Sequence, residues 1–407
     1  MTKKNKKNTN KWTKNRHKLI TGIARHIIAP YCKLKYGIKV EKFKEQQKRP
    51  YLILFNHQTA FDQFFVGMAF KGPVYYVASE DIFSLGFASS IIRYLVAPIP
   101  IKKQTSDVRA IMTCIKVASE GGTIAIAPEG NRTFSGKTEY INPAIVPLCK
   151  KLNLPIALYR IEGGFGVHPR WSDVVRKGKM RGYVSKVIYP EEYATMSDSE
   201  LLDLIKQYLY VNEAALDGEF KHKKRAEYLE RAMYVCPKCG LSTFKSKNSV
   251  IKCCKCDLKV EYLPTKQLKG VNEQFPFEFV DGWYDYQSNY VISGDFSHHI
   301  DKPLYVENTS IYKVALYKSK KLIAKKATVS LYSDKLTLSA KNFSTTLLFD
   351  KINTITILGK NKLNVYDGNE IYQIKSDKSF NALKYIHFYH KYKNIAKGEA
   401  NGKFLGL

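Results

Sequence analysis

The sequence predicts an α/β domain in the first half of the chain and a small antiparallel β-domain in the second half. Four short apolar runs, at 51–55, 74–78, 123–127 and 155–159, alternate with helical stretches. Buried apolar strands that alternate with helices are typical of a sheet covered by helices on both faces. From residue 310 onward, short runs of alternating hydrophobicity are separated by turn residues, which is typical of antiparallel strands.

The chain begins with a basic arm. Residues 1–18 contain eight Lys or Arg residues and no acid, and apolar residues then recur at helix spacing over 19–31. Such a basic amphipathic helix suits a membrane interface, although packing of the helix on the next domain fits the pattern equally well. No apolar run has the roughly 18 residues of a spanning helix, and the nearest candidate, 83–101, is interrupted by Arg93. No signal peptide is recognisable. We therefore expect a peripheral protein on the cytoplasmic face of a membrane.

The remaining elements complete the predicted organisation. Helical patterns cover 106–120 and 200–210, and Ser197 with Glu200 forms a capping box before the second helix. The charged segment 214–232 predicts a helical linker. The predicted strands of the β-domain are 328–332, 336–339, 345–349, 354–358, 363–366 and 371–375. Its closing helix is predicted at 379–393. The expected units are an arm with an interface helix (1–40), an α/β domain (41–215), a linker with a metal-binding ribbon (216–265) and a β-rich domain (266–407).

The net charge indicates an anionic partner. Lys and Arg number 66 against 36 Asp and Glu, which gives a formal charge of +30. A charge of this size attracts nucleic acid or acidic phospholipid, and composition alone does not choose between them.

A polar segment from Asn56 through His57 to Asp62 directly follows the first predicted strand. Loops after sheet strands are where α/β folds place chemistry. His57 is suited to take a proton near neutral pH, and Asp62 could fix its tautomer. On a regular helix the two side chains would point about 140° apart, so they meet only if His57 lies in the loop and Asp62 in the first helical turn. Alone, this spacing more often marks a core or capping histidine.

Two further segments follow apolar stretches in the same way. Residues 128–133 include Glu129, Gly130, which permits an unusual backbone angle, and Arg132, whose planar fork suits a phosphate. Residues 100–103 end on Lys103.

In order and spacing, these segments resemble the lysophosphatidic acid acyltransferase family, the 1-acyl-glycerol-3-phosphate acyltransferases. The family's Asn-His-x4-Asp block is matched by Asn56, His57 and Asp62, and its Pro-Glu-Gly-Thr-Arg-Ser block by 128–133, with Asn131 and Thr133 at the two hydroxyl positions. Its Phe-Ile-x-Arg block resembles 100–103, where Lys103 replaces the arginine. A last block corresponds loosely to 154–159, without its second proline. The resemblance covers roughly residues 40–215.

The resemblance implies an enzyme that makes phosphatidic acid. His57 would be the general base that activates the free hydroxyl of a 1-acyl-sn-glycerol-3-phosphate acceptor, and Asp62 would orient it. Lys103 and Arg132 would hold the acceptor's phosphate, and Glu129 with Gly130 would shape the acceptor pocket. The acyl thioester of acyl-carrier protein or coenzyme A would be the co-substrate, with no catalytic metal or organic cofactor. Lysine at 103 loses bidentate geometry, which leaves the headgroup preference open.

A cysteine cluster separates the two halves of the chain. Five of the eight cysteines fall between Cys236 and Cys256, in a chain without a recognisable export signal. This arrangement favours a metal over disulfides. Two spaced pairs present four thiolates in the arrangement that zinc prefers, and the pattern resembles a zinc ribbon. We assign a structural zinc to Cys236, Cys239, Cys253 and Cys256 and leave Cys254 spare.

Other interpretations remain open at this stage. Another glycerolipid acceptor, such as glycerol-3-phosphate or a lyso-phospholipid, fits the same motifs. A zinc-ribbon protein that binds nucleic acid through a degenerate enzyme fold is the alternative from another class. Intact motif residues and sparse aromatics beside the basic residues of the ribbon argue against it, so no nucleic acid is expected. The β-domain resembles pleckstrin-homology or GRAM-type modules in architecture only.

Overall fold

The computed structural model of the protein describes residues 11–44, 50–79, 82–83, 87–101, 107–314, 320–399 and 402–404. Two large sheets dominate these residues, and a small cysteine-containing region lies between them in the chain.

A seven-stranded sheet organises the first half of the chain. Its strands are β1 (Ile38–Val40), β2 (Leu52–Phe55), β3 (Val74–Ser79), β4 (Ile99–Ile101), β5 (Thr123–Ile126), β6 (Ile156–Glu162) and β7 (Met180–Ile188). The helices are α1 (Asn15–Tyr36), α2 (Asp62–Ala69), α3 (Phe87–Val96), α4 (Val108–Ser119), α5 (Ile145–Leu152), α6 (Gly164–Val167), α7 (Pro190–Tyr193) and α8 (Asp198–Leu209). The strand order is β1-β7-β6-β2-β5-β3-β4, and β6 and β7 form the antiparallel pair.

Strand β2 lies between β5 and β6, with Leu52 opposite both Ile124 and Ile156. Leu52 and Leu54 belong to one apolar core, and alternate residues of the strand face a second core across the sheet. This alternation follows from the two-residue period of a strand, and it confirms a sheet covered on both faces. Because β2 and β5 are parallel neighbours, the loops after them emerge side by side.

The predicted elements of this domain are confirmed. The four apolar runs form β2, β3, β5 and β6, and the predicted helices become α4 and α8. Ser197 and Glu200 make the capping box before α8: the Ser197 hydroxyl accepts from Glu200 N, and Ser197 N donates to the Glu200 carboxylate.

The helical linker expected at 214–232 does not form. The segment consists mainly of turns and extended chain, with one short 3-10 turn at Leu229–Arg231. Tertiary packing decides its conformation, because Phe220 is buried where side chains on Gly166 and Gly178 would collide with its ring. Lys221 pairs with Lys177 through backbone hydrogen bonds, which an α-helix would not permit.

The cysteine region contains β8 (Val235–Cys236), β9 (Gly240–Leu241), β10 (Phe244–Lys247), β11 (Val250–Cys253), β12 (Lys259–Tyr262) and β13 (Leu268–Gly270). The first two strands form a hairpin, and the other four form an antiparallel sheet in chain order. Helix α9 (Val280–Ser293) follows. The sequence patterns did not predict this helix, which buries Trp283 and Gln287.

A curled antiparallel sheet of half-barrel form makes up the C-terminal domain. Its elements are β14 (Tyr305–Lys313), β15 (Lys321–Leu331), β16 (Lys335–Ala340), β17 (Phe343–Leu348), β18 (Thr354–Leu358), β19 (Lys362–Asp367), β20 (Glu370–Lys375) and α10 (Leu383–Ala396). The strand order is β17-β16-β15-β14-β20-β19-β18. The six predicted strands and the closing helix are confirmed, whereas β14 was not among the predicted strands.

One apolar core joins all these regions. It contains Phe134, Phe165 and Trp171 from the α/β domain, Tyr262 from the cysteine region and Leu383 from α10. The Trp171 ring meets the Tyr262 ring edge-on with centroids 5.7 Å apart. The cysteine region and the C-terminal domain therefore pack directly on the α/β domain.

Candidate active site

The loop after β2 brings His57 and Asp62 together. His57 precedes the helix, and Asp62 is the first residue of α2, which is the geometry that the spacing required. The Nδ1 atom of His57 lies 2.7 Å from Oδ2 of Asp62. The Asp62 side chain is 1% exposed and that of His57 28%, so the imidazole borders solvent while its carboxylate is enclosed.

Asp62 is itself held by the loop. Its carboxylate accepts hydrogen bonds from Gln58 N at 2.8 Å, from Thr59 N at 3.0 Å and from the Thr59 hydroxyl at 2.7 Å. These donors satisfy the oxygens of a carboxylate in a buried place. When Asp62 accepts a hydrogen bond from the Nδ1–H of His57, Nε2 is the nitrogen that can accept a proton.

Asn56 fixes the start of this loop. Its side-chain amide donates to the carbonyl of Ile161 at 2.8 Å and accepts from Ile161 N at 2.7 Å. The amide thus ties the loop after β2 to strand β6. The sequence marked Asn56 as part of a motif without assigning it this task.

Glu129 joins the neighbouring loop to the first. Its Oε1 accepts from His57 N at 2.7 Å and its Oε2 accepts from Glu139 N at 2.7 Å. Burial raises the pKa of Glu129 well above its ordinary value, although the two N–H donors act in the opposite direction. Glu129 was predicted to shape the acceptor pocket. Its contacts show a buried carboxylate that links the backbone of His57 to that of Glu139.

The turn after Glu129 presents Arg132. Gly130 has φ of +69°, the left-handed conformation that favours glycine. Burial lowers the pKa of Arg132, and the charge of Asp62 opposes this shift. Its Nη1 is buried without a hydrogen-bond partner among the described residues. Lys103, the other predicted phosphate ligand, lies outside the described residues.

Groups that the sequence did not indicate complete this neighbourhood. The His168 ring stacks on Phe61, the residue before Asp62, with centroids 5.3 Å apart. Arg170 donates to the carbonyls of Arg132 and Gly359, at 2.8 and 2.9 Å. The second contact spans 189 positions of the chain and no local pattern signals it.

The four predicted metal ligands converge in the cysteine region. The Sγ atoms of Cys236, Cys239, Cys253 and Cys256 all lie within 4.8 Å of one another. The pairs Cys236–Cys256 and Cys239–Cys253 are each 3.6 Å apart. A tetrahedral ion with bonds of about 2.3 Å to sulfur requires separations of roughly 3.8 Å, so the four thiols fit such an ion. Cys254 is exposed and outside the cluster.

A family model matches the part of the chain that contains the candidate site. The family model described as Acyltransferase matches residues 37–158. Among solved structures, the chain is similar to the crystal structure of the 1-acyl-sn-glycerophosphate (LPA) acyltransferase PlsC from Thermotoga maritima. That similarity has 19% sequence identity and a TM-score of 0.41, over 48% of this chain and 80% of that chain. No curated protein sequence matches the chain.

The matched segment contains both loops of the site. It begins just before β1 and ends within β6, and it includes His57, Asp62, Glu129 and Arg132. The first half of the chain is therefore an acyltransferase-like α/β domain, and a cysteine cluster able to hold a metal follows it.

Proposed function

We propose that the protein transfers an acyl chain from an acyl thioester to the free hydroxyl of 1-acyl-sn-glycerol-3-phosphate, giving phosphatidic acid. The observation that carries this proposal is the His57–Asp62 contact at 2.7 Å, inside the segment that matches the acyltransferase family model. The thioester donor is acyl-carrier protein or acyl-coenzyme A.

In this reaction His57 acts as the general base. Its Nε2 takes the proton of the acceptor hydroxyl while the hydroxyl oxygen attacks the thioester carbonyl. The C–S bond then breaks, and the imidazolium returns the proton to the departing thiolate. Asp62 holds the imidazole in the required tautomer and stabilises its positive charge, because the carboxylate stays buried against Nδ1.

The acceptor's phosphate would lie against Arg132. The Nη1 atom of this guanidinium is buried and has no hydrogen-bond partner in the described part of the chain, which supports that position. Lys103 is proposed as a second ligand on the basis of its motif. Glu129 and Gly130 would contribute by fixing the loop that carries Arg132.

A face of α1 supports binding to an anionic membrane surface. Leu19, Ile23, Ile27, Tyr31 and Leu34 are each at least 50% exposed and follow helix spacing, and we call them the apolar face. Helix α3 adds exposed Phe87 and Tyr94. A patch of this kind, beside a basic arm, suits the interface of an acidic bilayer, where a lyso-lipid acceptor resides.

The other side of α1 packs on the domain. His17 and Cys32 are buried, and the Arg25 guanidinium donates to the carbonyl of Gly67 at 2.8 Å. The two interpretations of the N-terminal helix are thus compatible. Among the described residues, no helix has the length and apolar character needed to cross a bilayer. We propose a peripheral position on the cytoplasmic face.

The experiment that tests this function is an acyl-transfer assay with a panel of acceptors. Purified protein is incubated with acyl-coenzyme A or acylated carrier protein and with lysophosphatidate, glycerol-3-phosphate or lysophosphatidylcholine. Products are identified by mass spectrometry, with His57→Ala as the blank. Phosphatidic acid formed only by the unmodified protein supports the proposal. Faster transfer to another acceptor corrects the substrate, and absence of transfer to every acceptor overturns the proposal.

A further inference from the structure

The turn between β18 and β19 of the C-terminal domain lies beside the candidate active site. Arg170 makes the connection, because one guanidinium donates to the backbone carbonyls of both Arg132 and Gly359. The Arg170 guanidinium also donates a hydrogen bond to the carbonyl of Ile357 at 3.2 Å. The planar guanidinium holds this turn at a fixed distance from the loop after β5.

Lys360 follows Gly359 at the end of this turn. Its Nζ donates to the carbonyl of Ser172 at 2.5 Å and lies 3.0 Å from the Asp173 carboxylate. Burial, followed by the charges of Lys360 and Arg132, lowers the pKa of His168 to about 3. His168 is therefore neutral at physiological pH.

This neighbourhood contains buried nitrogens without partners. Nη1 of Arg132 and Nδ1 of His168 are both buried and have no hydrogen-bond partner within the described ranges. Asp173, the carboxylate beside Lys360, is also engaged by Arg231 at 2.7 Å. Buried polar groups in native proteins are ordinarily hydrogen-bonded, so an arrangement of this kind fits an anion with several oxygens.

We propose that Lys360 of the C-terminal domain completes, with Arg132 and His168, a site for the phosphomonoester group of the acceptor. This inference rests on the proposed function for the identity of the acceptor, and on side-chain geometry for the site itself. Stacking of His168 on Phe61 places the site next to the loop that carries His57. The C-terminal domain therefore takes part in acceptor recognition, although it lies outside the segment that matches the acyltransferase family model.

Phosphate binding without an acyl donor tests the site directly. Calorimetric titration with glycerol-3-phosphate and with inorganic phosphate compares the unmodified protein with Lys360→Gln, Lys360→Arg and Lys375→Gln. Losing one charged hydrogen bond should weaken glycerol-3-phosphate binding about tenfold in Lys360→Gln. Lys360→Arg should retain most of the affinity. The matched control, exposed Lys375 on β20 of the same sheet, removes an equal charge and should change little.

The two phosphate probes distinguish the source of the anion. Tighter binding of glycerol-3-phosphate than of inorganic phosphate supports an acceptor headgroup, and equal binding overturns the assignment to the acceptor. Unchanged affinity in Lys360→Gln, or an equal loss in Lys375→Gln, overturns the role of Lys360. Thermal unfolding of each variant is measured in parallel. A role in domain packing alone predicts a lower unfolding temperature with unchanged phosphate affinity per folded molecule.

Acyl-transfer kinetics separate this inference from the proposed function. Lys360→Gln should raise the KM for lysophosphatidate about tenfold with little change in kcat, because Lys360 is proposed to contact only the phosphate of the acceptor. If the unmodified protein binds glycerol-3-phosphate through Lys360 and transfers no acyl group, the proposed function fails and the anion site stands. If it makes phosphatidic acid and Lys360→Gln has normal KM and affinity, the inference fails and the proposed function stands.

Discussion

The His57–Asp62 pair and the four-cysteine cluster are organised in opposite ways. The pair is assembled within one loop, and backbone N–H groups of Gln58 and Thr59 already hold Asp62 in place. The cluster brings thiols from two separate loops to within 4.8 Å, and close thiols gain little from one another. Hydrogen bonds within the polypeptide are enough to hold the His57–Asp62 pair. The cysteine cluster would stabilise the fold only with a bound ion.

Metal removal should change the stability of the protein more than any substitution at the catalytic pair. Structural zinc contributes roughly 10 kcal/mol or more in isolated zinc-finger peptides, so Cys253→Ser should abolish cooperative unfolding of the cysteine region. The matched control is Cys254→Ser, because Cys254 is exposed and outside the cluster. Elemental analysis should find one zinc per chain in the unmodified protein and in this control. Absence of metal, with all thiols freely titratable in the native protein, would contradict the assignment.

Substitutions in the His57–Asp62 pair should show the reverse behaviour, with large effects on rate and small effects on stability. His57→Ala removes the proposed base and should lower kcat by about 10²–10⁴ while leaving the unfolding temperature nearly unchanged. Asp62→Asn should also slow the reaction severely. It should in addition lower the unfolding temperature, because the buried carboxylate accepts several N–H and O–H groups. Near-normal turnover of His57→Ala would remove this histidine from the mechanism.

Sequence reasoning succeeded where interactions are local. Strand β2, the following loop and Asp62 at the start of α2 lie within a dozen residues, and their pattern determines their geometry. The sequence predicted the four-cysteine cluster equally well, because the spacing of the two cysteine pairs is typical of a metal site. The contact of Arg170 with Gly359 depends on how two distant sheets pack, and no periodicity encodes it. For the same reason the charge-rich segment 214–232 was expected to be helical, although burial of Phe220 decides otherwise.

The apolar face of α1 is a third region for which we propose an external component, here a membrane. Replacing Ile23, Ile27 and Leu34 by serine should weaken binding to anionic liposomes, measured by flotation, by about 3 kcal/mol, or roughly 100-fold. Partial burial of each side chain in the membrane contributes about 1 kcal/mol to binding. The control replaces Val271, Val306 and Ile395, which are similarly exposed elsewhere. Equal flotation of both triple variants would show that α1 is not the membrane contact.

Asp173 offers the smallest and most pH-specific test. Burial would raise its pKa, but hydrogen bonds from Arg231 and Lys360 outweigh this and lower the pKa to about 2. A carboxyl with a lowered folded-state pKa stabilises the fold above its ordinary pKa, and this stabilisation is lost as pH falls. The Asp173 side chain is 35% exposed, so solvent screens its ion pairs, and Asp173→Asn should cost about 1 kcal/mol at neutral pH.

The difference in stability between the unmodified protein and this variant should disappear between about pH 4 and pH 2. Chemical denaturation at several pH values measures it. A pH-independent difference would show that Asp173 acts through packing and not through its charge. This measurement also distinguishes the contribution of the Asp173 contacts to stability from that of the four-cysteine cluster, because the Asp173→Asn substitution leaves every proposed metal ligand in place.

The two halves of the chain share one apolar core, so neither half buries all of its apolar residues alone. Trp171 and Phe165 are fully buried, and their cover comes partly from residues after the acyltransferase-like segment. Cutting the chain after α8 would leave these rings facing water, together with the groove that Phe220 fills. The α/β domain of this protein thus depends on the C-terminal half of the chain for part of its apolar cover.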